Sequence, residues 1–422
     1  MEALIITVFV LGYLAITLEH PLRINKSASA LLTGVLLWTI WIVLNPGEPG
    51  IVQDALANNL GATAGILFFL MAAMTIVEII DAHDGFSIIT SAIRTREKST
   101  LLWIICFIAF FLSAVLDNLT TAIVMVSLTR KLLRDQEDRM LFAGMIVIAA
   151  NAGGAWSPIG DVTTTMLWIG GQVTALNIIR TLFFPSLICL LIPLFIAGRK
   201  LKGTIGEELQ EAESTGKMNG KERNTVFFTG VGVLLFVPVF KTLTHLPPYM
   251  GILLGLGFLW AIVEFLHRRK DGEDKEYYSV SSAMQRIDTP SVLFFLGILL
   301  AVGALESTHI LHDLAMIMNE KIGNLTAIVT GIGLLSSIVD NVPLVAASMG
   351  MYSLSVYPPD HFLWEFMAYC AGTGGSVLII GSAAGVAVMG IEKISFTWYL
   401  KKISLYALIG YFAGALVYVI MT

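Results

Sequence analysis

The tripeptide Leu116-Asp117-Asn118 lies deep inside an apolar stretch, and the same arrangement returns as Val339-Asp340-Asn341 deep inside another. Composition says what those stretches are. Hydrophobic residues make up 56% of the 422 residues, charged residues only 14%, and mean hydropathy is +0.79, far more apolar than a soluble domain. The chain is therefore an integral membrane protein. A carboxylate at the centre of a bilayer costs about 2.5–3.5 kcal/mol on insertion scales, so two of them in matched surroundings need a reason, and ion binding is one.

The match extends beyond the tripeptide. SAVLDNLTTAIVM from Ser113 aligns without a gap on SSIVDNVPLVAAS from Ser336. NAGGAWSPIGDVTTT from Asn151 aligns on GTGGSVLIIGSAAGV after Ala371, so that Gly153-Gly154 falls on Gly374-Gly375 and Gly160-Asp161 on Gly381-Ser382. Two ordered matches argue for an internal duplication. The reading is two related halves, 1–198 and 226–422, joined by a polar cytoplasmic linker at 199–225.

Hydropathy gives spans near 3–20, 28–45, 60–81, 140–172, 178–198, 226–241, 249–266, 290–307, 361–391 and 401–421. Two further apolar regions, 99–132 and 324–357, carry the Asp-Asn pairs at their middles. The acidic first turn and the lack of a small-residue cleavage site make the first apolar run a retained span. Lys and Arg set the orientation, because short cytoplasmic loops retain them. Arg23 with Lys26, 94–98, 130–139, 199–223, 267–270 and Lys393 with Lys401 and Lys402 form the inside set. The segments 46–59, 171–177, 242–248, 307–323 and 358–362 hold at most one basic residue each and form the outside set. Region 99–132 has basic residues at both ends, so it enters from and returns to the cytoplasm as a re-entrant hairpin; 324–357 does the same from outside. The expectation is an all-α integral membrane protein of two inverted structural repeats: about ten transmembrane helices, two re-entrant hairpins, two broken helices, and both termini outside.

The breaks follow from local chemistry. A span holding Asn151, Gly153, Gly154, Pro158, Gly160 and Asp161 does not stay helical throughout, since Gly is permissive and Pro lacks a donor and clashes with the preceding turn. Gly372, Gly374, Gly375, Gly381 and Gly385 predict a second break at 361–391. Non-helical backbone at membrane depth survives only where protein or a water-lined cavity satisfies it. Two hairpin tips and two breaks near the midplane offer the carbonyl and side-chain oxygens of a small-cation site.

Each signal has a structural account beside the functional one. Asp is a good helix N-cap, so the tip carboxylates suit a half-helix start. The glycine pairs suit close helix packing, and Thr163, Thr164 and Thr165 can bond back to their own helix. Glu78 aligns with Glu306 at matching span ends; both suit interfacial solvation and both are candidates for a proton relay. Trp38, Trp41, Trp103, Trp168, Trp260 and Trp364 suit aromatic belts. Cys106, Cys189 and Cys370 show no disulfide or zinc pattern.

LDNLTTAIV at Leu116, NAGGAWSPIGDVTTTMLWIGGQV at Asn151 and SSIVDNVPL at Ser336 resemble the NhaD-type sodium/proton antiporters of the ion transporter superfamily, and the resemblance covers nearly the whole chain. It implies a multi-pass protein of a bacterial inner membrane, a homodimer, that exports Na+, often Li+ too, in exchange for H+. The positions that match the family's functional motifs are Asp117, Asn118, Asp161, Thr163, Thr164, Ser336, Asp340 and Asn341. Among them Asp117, Asp161 and Asp340 are the expected Na+ ligands. Related dicarboxylate carriers resemble Ser-Asn-Thr at the tips, whereas both tips here carry Asp.

Competition for carboxylates explains exchange. Leaving water favours the protonated acid and a bound cation favours the ionised one, so sodium binding expels a proton and protonation expels sodium. Asp117 and Asp340 are the expected exchanging pair, with Asp161 a ligand or second proton carrier. The alternative is a sodium-coupled symporter of an organic anion such as a dicarboxylate, with half-helix N-termini holding the anion's carboxylates. The absence of Lys or Arg within the motif regions speaks against it. HExxH, GxSxG and P-loop patterns are lacking, so no enzyme is expected, and neither is a cofactor or a nucleic-acid partner.

Overall fold

In the computed structural model the described residues are 2–47, 49–90, 95, 97–201, 203–204, 220–268, 276–338 and 340–422. Most of the linker expected at 199–225, parts of the basic segments 94–98 and 267–270, and Val339 lie outside them.

Helices account for nearly all of the described chain. In order, leaving aside the short helices Glu19–Leu22, Ser87–Thr90 and Val280–Arg286, they are α1 Glu2–Thr17, α2 Lys26–Leu44, α3 Pro49–Ala82, α4 Lys98–Ser113, α5 Asn118–Leu132, α6 Gln136–Ala155, α7 Val162–Ile169, α8 Ala175–Lys200 and α9 Gly220–Thr244. They continue as α10 Pro248–His267, α11 Thr289–Ser307, α12 Ile310–Ile322, α13 Leu325–Leu335, α14 Asn341–Met351, α15 Phe362–Gly374, α16 Ala383–Glu392, α17 Phe396–Lys402 and α18 Ser404–Met421. Among the described residues the one β interaction is an isolated bridge between Glu97 and Thr204. Seven of these helices (α2, α3, α8, α9, α10, α11 and α18) are long and apolar enough to cross a membrane unaided. The fold is that of an all-α membrane protein.

Burial separates the helices into a centre and a rim. Every residue of 142–155 in α6 and of 363–374 in α15 is buried, the pattern of a helix enclosed on all sides by protein. By contrast α9, α10 and α18 expose Phe228, Leu235, Leu254, Phe258, Leu405 and Leu416, as helices bathed in lipid do.

Two sets of contacts around α6 and α15 match residue for residue. A Cβ on Gly153 would lie 2.1 Å from the Phe110 carbonyl oxygen of α4, and one on Gly374 would lie 1.9 Å from the Gly333 carbonyl oxygen of α13. Ser113 Oγ donates to the Ala150 carbonyl at 2.6 Å, and Ser336 Oγ donates to the Ala371 carbonyl at 2.9 Å. The small residues let backbones touch where larger ones would hold them apart. A separate crossing of the same type joins α2 to α11, where a Cβ on Gly34 would come 2.6 Å from the Gly297 carbonyl oxygen.

Three elements depart from the sequence reading. The span expected at 60–81 begins earlier, because α3 runs from Pro49 through the segment read as an outside loop. Pro suits a first helical turn, and the 34 residues reach about 51 Å, longer than a bilayer's apolar core. The segment 307–323 is likewise no plain loop: α12 buries Leu311 and Ala315 and leaves Leu314, Met316 and Ile317 exposed. The aromatic-belt reading fails for Trp38, Trp41, Trp168 and Trp364, all buried. Trp38 Nε1 donates to the Leu300 carbonyl at 2.8 Å and Trp364 Nε1 to the Tyr357 carbonyl at 2.9 Å, so their single polar atom is satisfied inside the protein.

Candidate functional site

Four helices start inside the protein, and each start carries a side-chain cap. Asp117 caps α5, its Oδ1 accepting from Thr120 N at 2.7 Å and its Oδ2 from Thr120 Oγ1 at 2.7 Å. Asp161 caps α7, with Oδ1 accepting from both Thr163 N and Thr163 Oγ1 at 2.8 Å. Asp340 caps α14 through a longer bond from Val342 N at 3.4 Å, and Ser382 caps α16 through Gly385 N at 3.2 Å. The chain before each start stops being helical for the reason residue chemistry gives. Residues 156–161, with Pro158, separate α6 from α7, and 375–382 separate α15 from α16. The turns fold tightly on themselves: a Cβ on Gly154 would stand 2.4 Å from the Gly160 carbonyl oxygen, and one on Gly375 2.8 Å from the Gly381 carbonyl oxygen.

The four starts converge on Asp161, which is buried to 1% exposure. Asn118, the first residue of α5, donates from Nδ2 to Asp161 Oδ2 at 2.7 Å and to Asn151 Oδ1 at 3.0 Å. Asn341, the first residue of α14, donates from Nδ2 to both Asp161 oxygens at 3.4 Å. Asn151 Nδ2 donates onward to Ser376 Oγ and Ser382 Oγ, each at 3.0 Å, tying in the α15/α16 break. Asp117 and Asp340 both lie within electrostatic range of Asp161.

Of the residues expected at the site, Asn118, Asp161, Thr163 and Asn341 form this network. Asp117 and Asp340 flank it with their oxygens turned to other partners. Thr164 Oγ1 bonds back to the Asp161 carbonyl at 2.9 Å, and Ser336 joins α13 to α15. Gly153, Gly154, Gly374 and Gly375 set the helix approaches. Glu78 is held by Arg286, Oε1 to Nε at 2.6 Å, and Glu306 is exposed at the end of α11; among the described residues neither bonds to the network.

Three participants were not among the candidates. Asn151 and Ser376 are buried hydrogen-bonding bridges, and only their place in the glycine-rich motifs hinted at them. The third is Lys26, read from the sequence as a cytoplasmic marker: its Nζ lies 3.1 Å from Asp340 Oδ2. The motifs contain no basic residue, yet one reaches the second tip from α2.

The arrangement is a buried carboxylate ringed by amide and hydroxyl groups, between interrupted helices of a multi-pass membrane protein. Comparison with known proteins gives the class. The profile of the family described as "Citrate transporter" matches residues 13–366. Sodium/proton antiporter 1 of Arabidopsis thaliana is 49% identical over 97% of this chain and 71% of its own length, and sodium/proton antiporter 2 of the same plant is 46% identical over 97% of each. The Na(+)/H(+) antiporter NhaD of Vibrio cholerae is 32% identical over 93% of this chain and 86% of its own. The chain belongs to the citrate transporter family and, within it, groups with the NhaD-type sodium/proton antiporters. It is a transporter and not an enzyme.

Proposed function

We propose that this protein exchanges Na+, and with it Li+, for H+ across the membrane, with Asp161, Asp117 and Asp340 as the carboxylates for which cation and proton compete. One observation carries this reading: three of the four helix starts that converge on the site already hold a carboxylate of the protein itself. Helix N-termini attract anions, and an organic-anion carrier would leave those ends for its substrate. Here the protein's own acids occupy them, which leaves the space between for a cation. A sodium ion is a hard cation, and the carboxylate, amide and hydroxyl oxygens of Asp161, Asn118, Asn341 and Thr163 are hard donors.

The residues divide the work. Asp161 takes the cation or the proton. Asn118 and Asn341 orient its oxygens and offer their own, and Asn151 links both tips to the second break. Thr163 holds Asp161 through backbone and hydroxyl together. Moving one tip therefore disturbs all four helix starts.

We further infer that the halves 1–198 and 226–422 insert as inverted repeats, with 99–132 and 324–357 as hairpins from opposite faces and both termini outside. Matched contacts around Gly153 and Gly374 and the distribution of Lys and Arg support this. The bacterial NhaD relatives support a bacterial inner membrane, although the plant relatives share more identity. A homodimer within the lipid has only the family resemblance in support. Glu78 and Glu306 as a proton relay have only their alignment in support.

A second reading, sodium-coupled uptake of an organic anion, is favoured by the family's description and by the cation Lys26 beside the site. Everted vesicles from cells expressing the chain separate the two. The expected result is dissipation of a preformed pH gradient by NaCl and LiCl but not KCl, lost in Asp161→Asn. Sodium-dependent uptake of labelled succinate or citrate, with no cation-driven proton flux, would establish the second reading instead.

A further inference from the structure

Asp117 and Asp340 occupy matching positions in the two motifs but keep different company. Both oxygens of Asp117 are taken by Thr120, a neighbour on its own helix. Asp340 spends only Oδ1 on its helix, in a long bond, and Oδ2 faces the ammonium of Lys26. That lysine belongs to a different part of the fold. Ser27 Oγ donates to the Pro290 carbonyl at 2.6 Å and Gly34 meets Gly297, so the start of α2 is fastened to α11.

We propose that Lys26 is a tethered counter-ion of Asp340 that competes with the transported cation for that carboxylate, so that at Asp340 the cation meets a competitor that Asp117, bonded to Thr120, does not have. The inference rests on the antiport reading. Three features suit an exchangeable partner. The contact is a single ammonium-to-oxygen approach, where a guanidinium would grip both oxygens. The pair is neither sealed nor free, the two side chains being 24% and 14% exposed. Lys26 also has somewhere else to rest: its Nζ stands 4.5 Å from the centre of the Phe294 ring, Glu19 Oε1 accepts from its backbone N at 3.2 Å, and Glu19 and Asp288 both lie within electrostatic range of the ammonium. A displaced ammonium thus keeps an aromatic face and two carboxylates nearby. Its departure would also break the polar link between the α14 tip and the start of α2, so cation binding and the hold on that tip are coupled at one contact.

Direct binding of radiolabelled sodium to the purified full chain tests this, with sodium-driven proton flux in proteoliposomes measured alongside. Lys26→Gln removes the competitor, and its Na+ dissociation constant is expected to fall about fivefold, the fold-change of a partly buried ion pair. General damage to the site would weaken binding, so only loss of a competitor moves the constant down. An unchanged or higher constant in folded Lys26→Gln overturns the proposal. Should Lys26→Gln aggregate, Lys26→Arg decides: its fork holds Asp340 more firmly, so weaker sodium binding is expected and unchanged binding overturns the proposal. A wild-type protein that neither binds sodium nor exchanges it for protons would overturn the antiport reading itself, before any variant is compared.

Discussion

Asn118 is a small residue with a large share in the site, because its amide bridges the α5 start to Asp161 and Asn151 at once. Hydrogen bonds to charged groups contribute about 1.5–3 kcal/mol, so losing the 2.7 Å bond should be felt chiefly in ion binding. Asn118→Ala is expected to raise the half-saturating sodium concentration by about tenfold or more in vesicle flux assays, with expression unchanged. An equal constant in the two proteins would mean that Asp161 is held well enough by Thr163 and Asn341. Thr164 offers the contrast: its hydroxyl bonds back to its own turn, so Thr164→Val should leave the sodium constant within about twofold of wild type.

Among the elements, some glycines touch neighbouring backbone, others meet side chains, and others face open space. Gly153→Ala and Gly374→Ala push a methyl group into carbonyl oxygens at 2.1 and 1.9 Å, so both should lower the thermal midpoint in detergent and abolish exchange. Gly257→Ala on α10 meets nothing within 4 Å and should be neutral or gain up to about 1 kcal/mol from helix propensity. Equal midpoints for all three would refute the close approaches. These glycines also mark how far the sequence could be read. Interrupted helices were legible because Pro158 and the glycine pairs punctuate apolar runs, and a carboxylate in such a run announces itself. The early start of α3 was hidden because residues 49–59 are too polar for a hydropathy window, and α12 because its apolar residues, interrupted by His312 and Asp313 and followed by Asn319, Glu320 and Lys321, are too short a run for a span. Lys26 at Asp340 was out of reach altogether: the two are 314 residues apart, and a lysine beside a span end gives the same signal whether it faces water or an acid.

For the molecule as a whole, a second polar junction lies at Glu392, whose side chain is 2% exposed at the end of α16 and faces Arg139 of α6 at 3.1 Å and Arg130 of α5 at 3.4 Å. It links the last quarter of the chain to α5 and α6. Removing one partner of a buried pair leaves the others uncompensated, so Glu392→Gln should lower the thermal midpoint more than Arg130→Gln, whose side chain is 55% exposed. The reverse order would place the weight of the junction on Arg130. The three thiols bear on how the moving parts can be watched. Cys106, Cys189 and Cys370 are all buried, at 0%, 2% and 0% exposure, and none is paired. The native chain should therefore stay unlabelled by a charged maleimide until it is denatured. A protein that is chemically silent in this way is its own blank: one cysteine placed at a tip or a break would report, by its rate of labelling from either side, when that position opens to water.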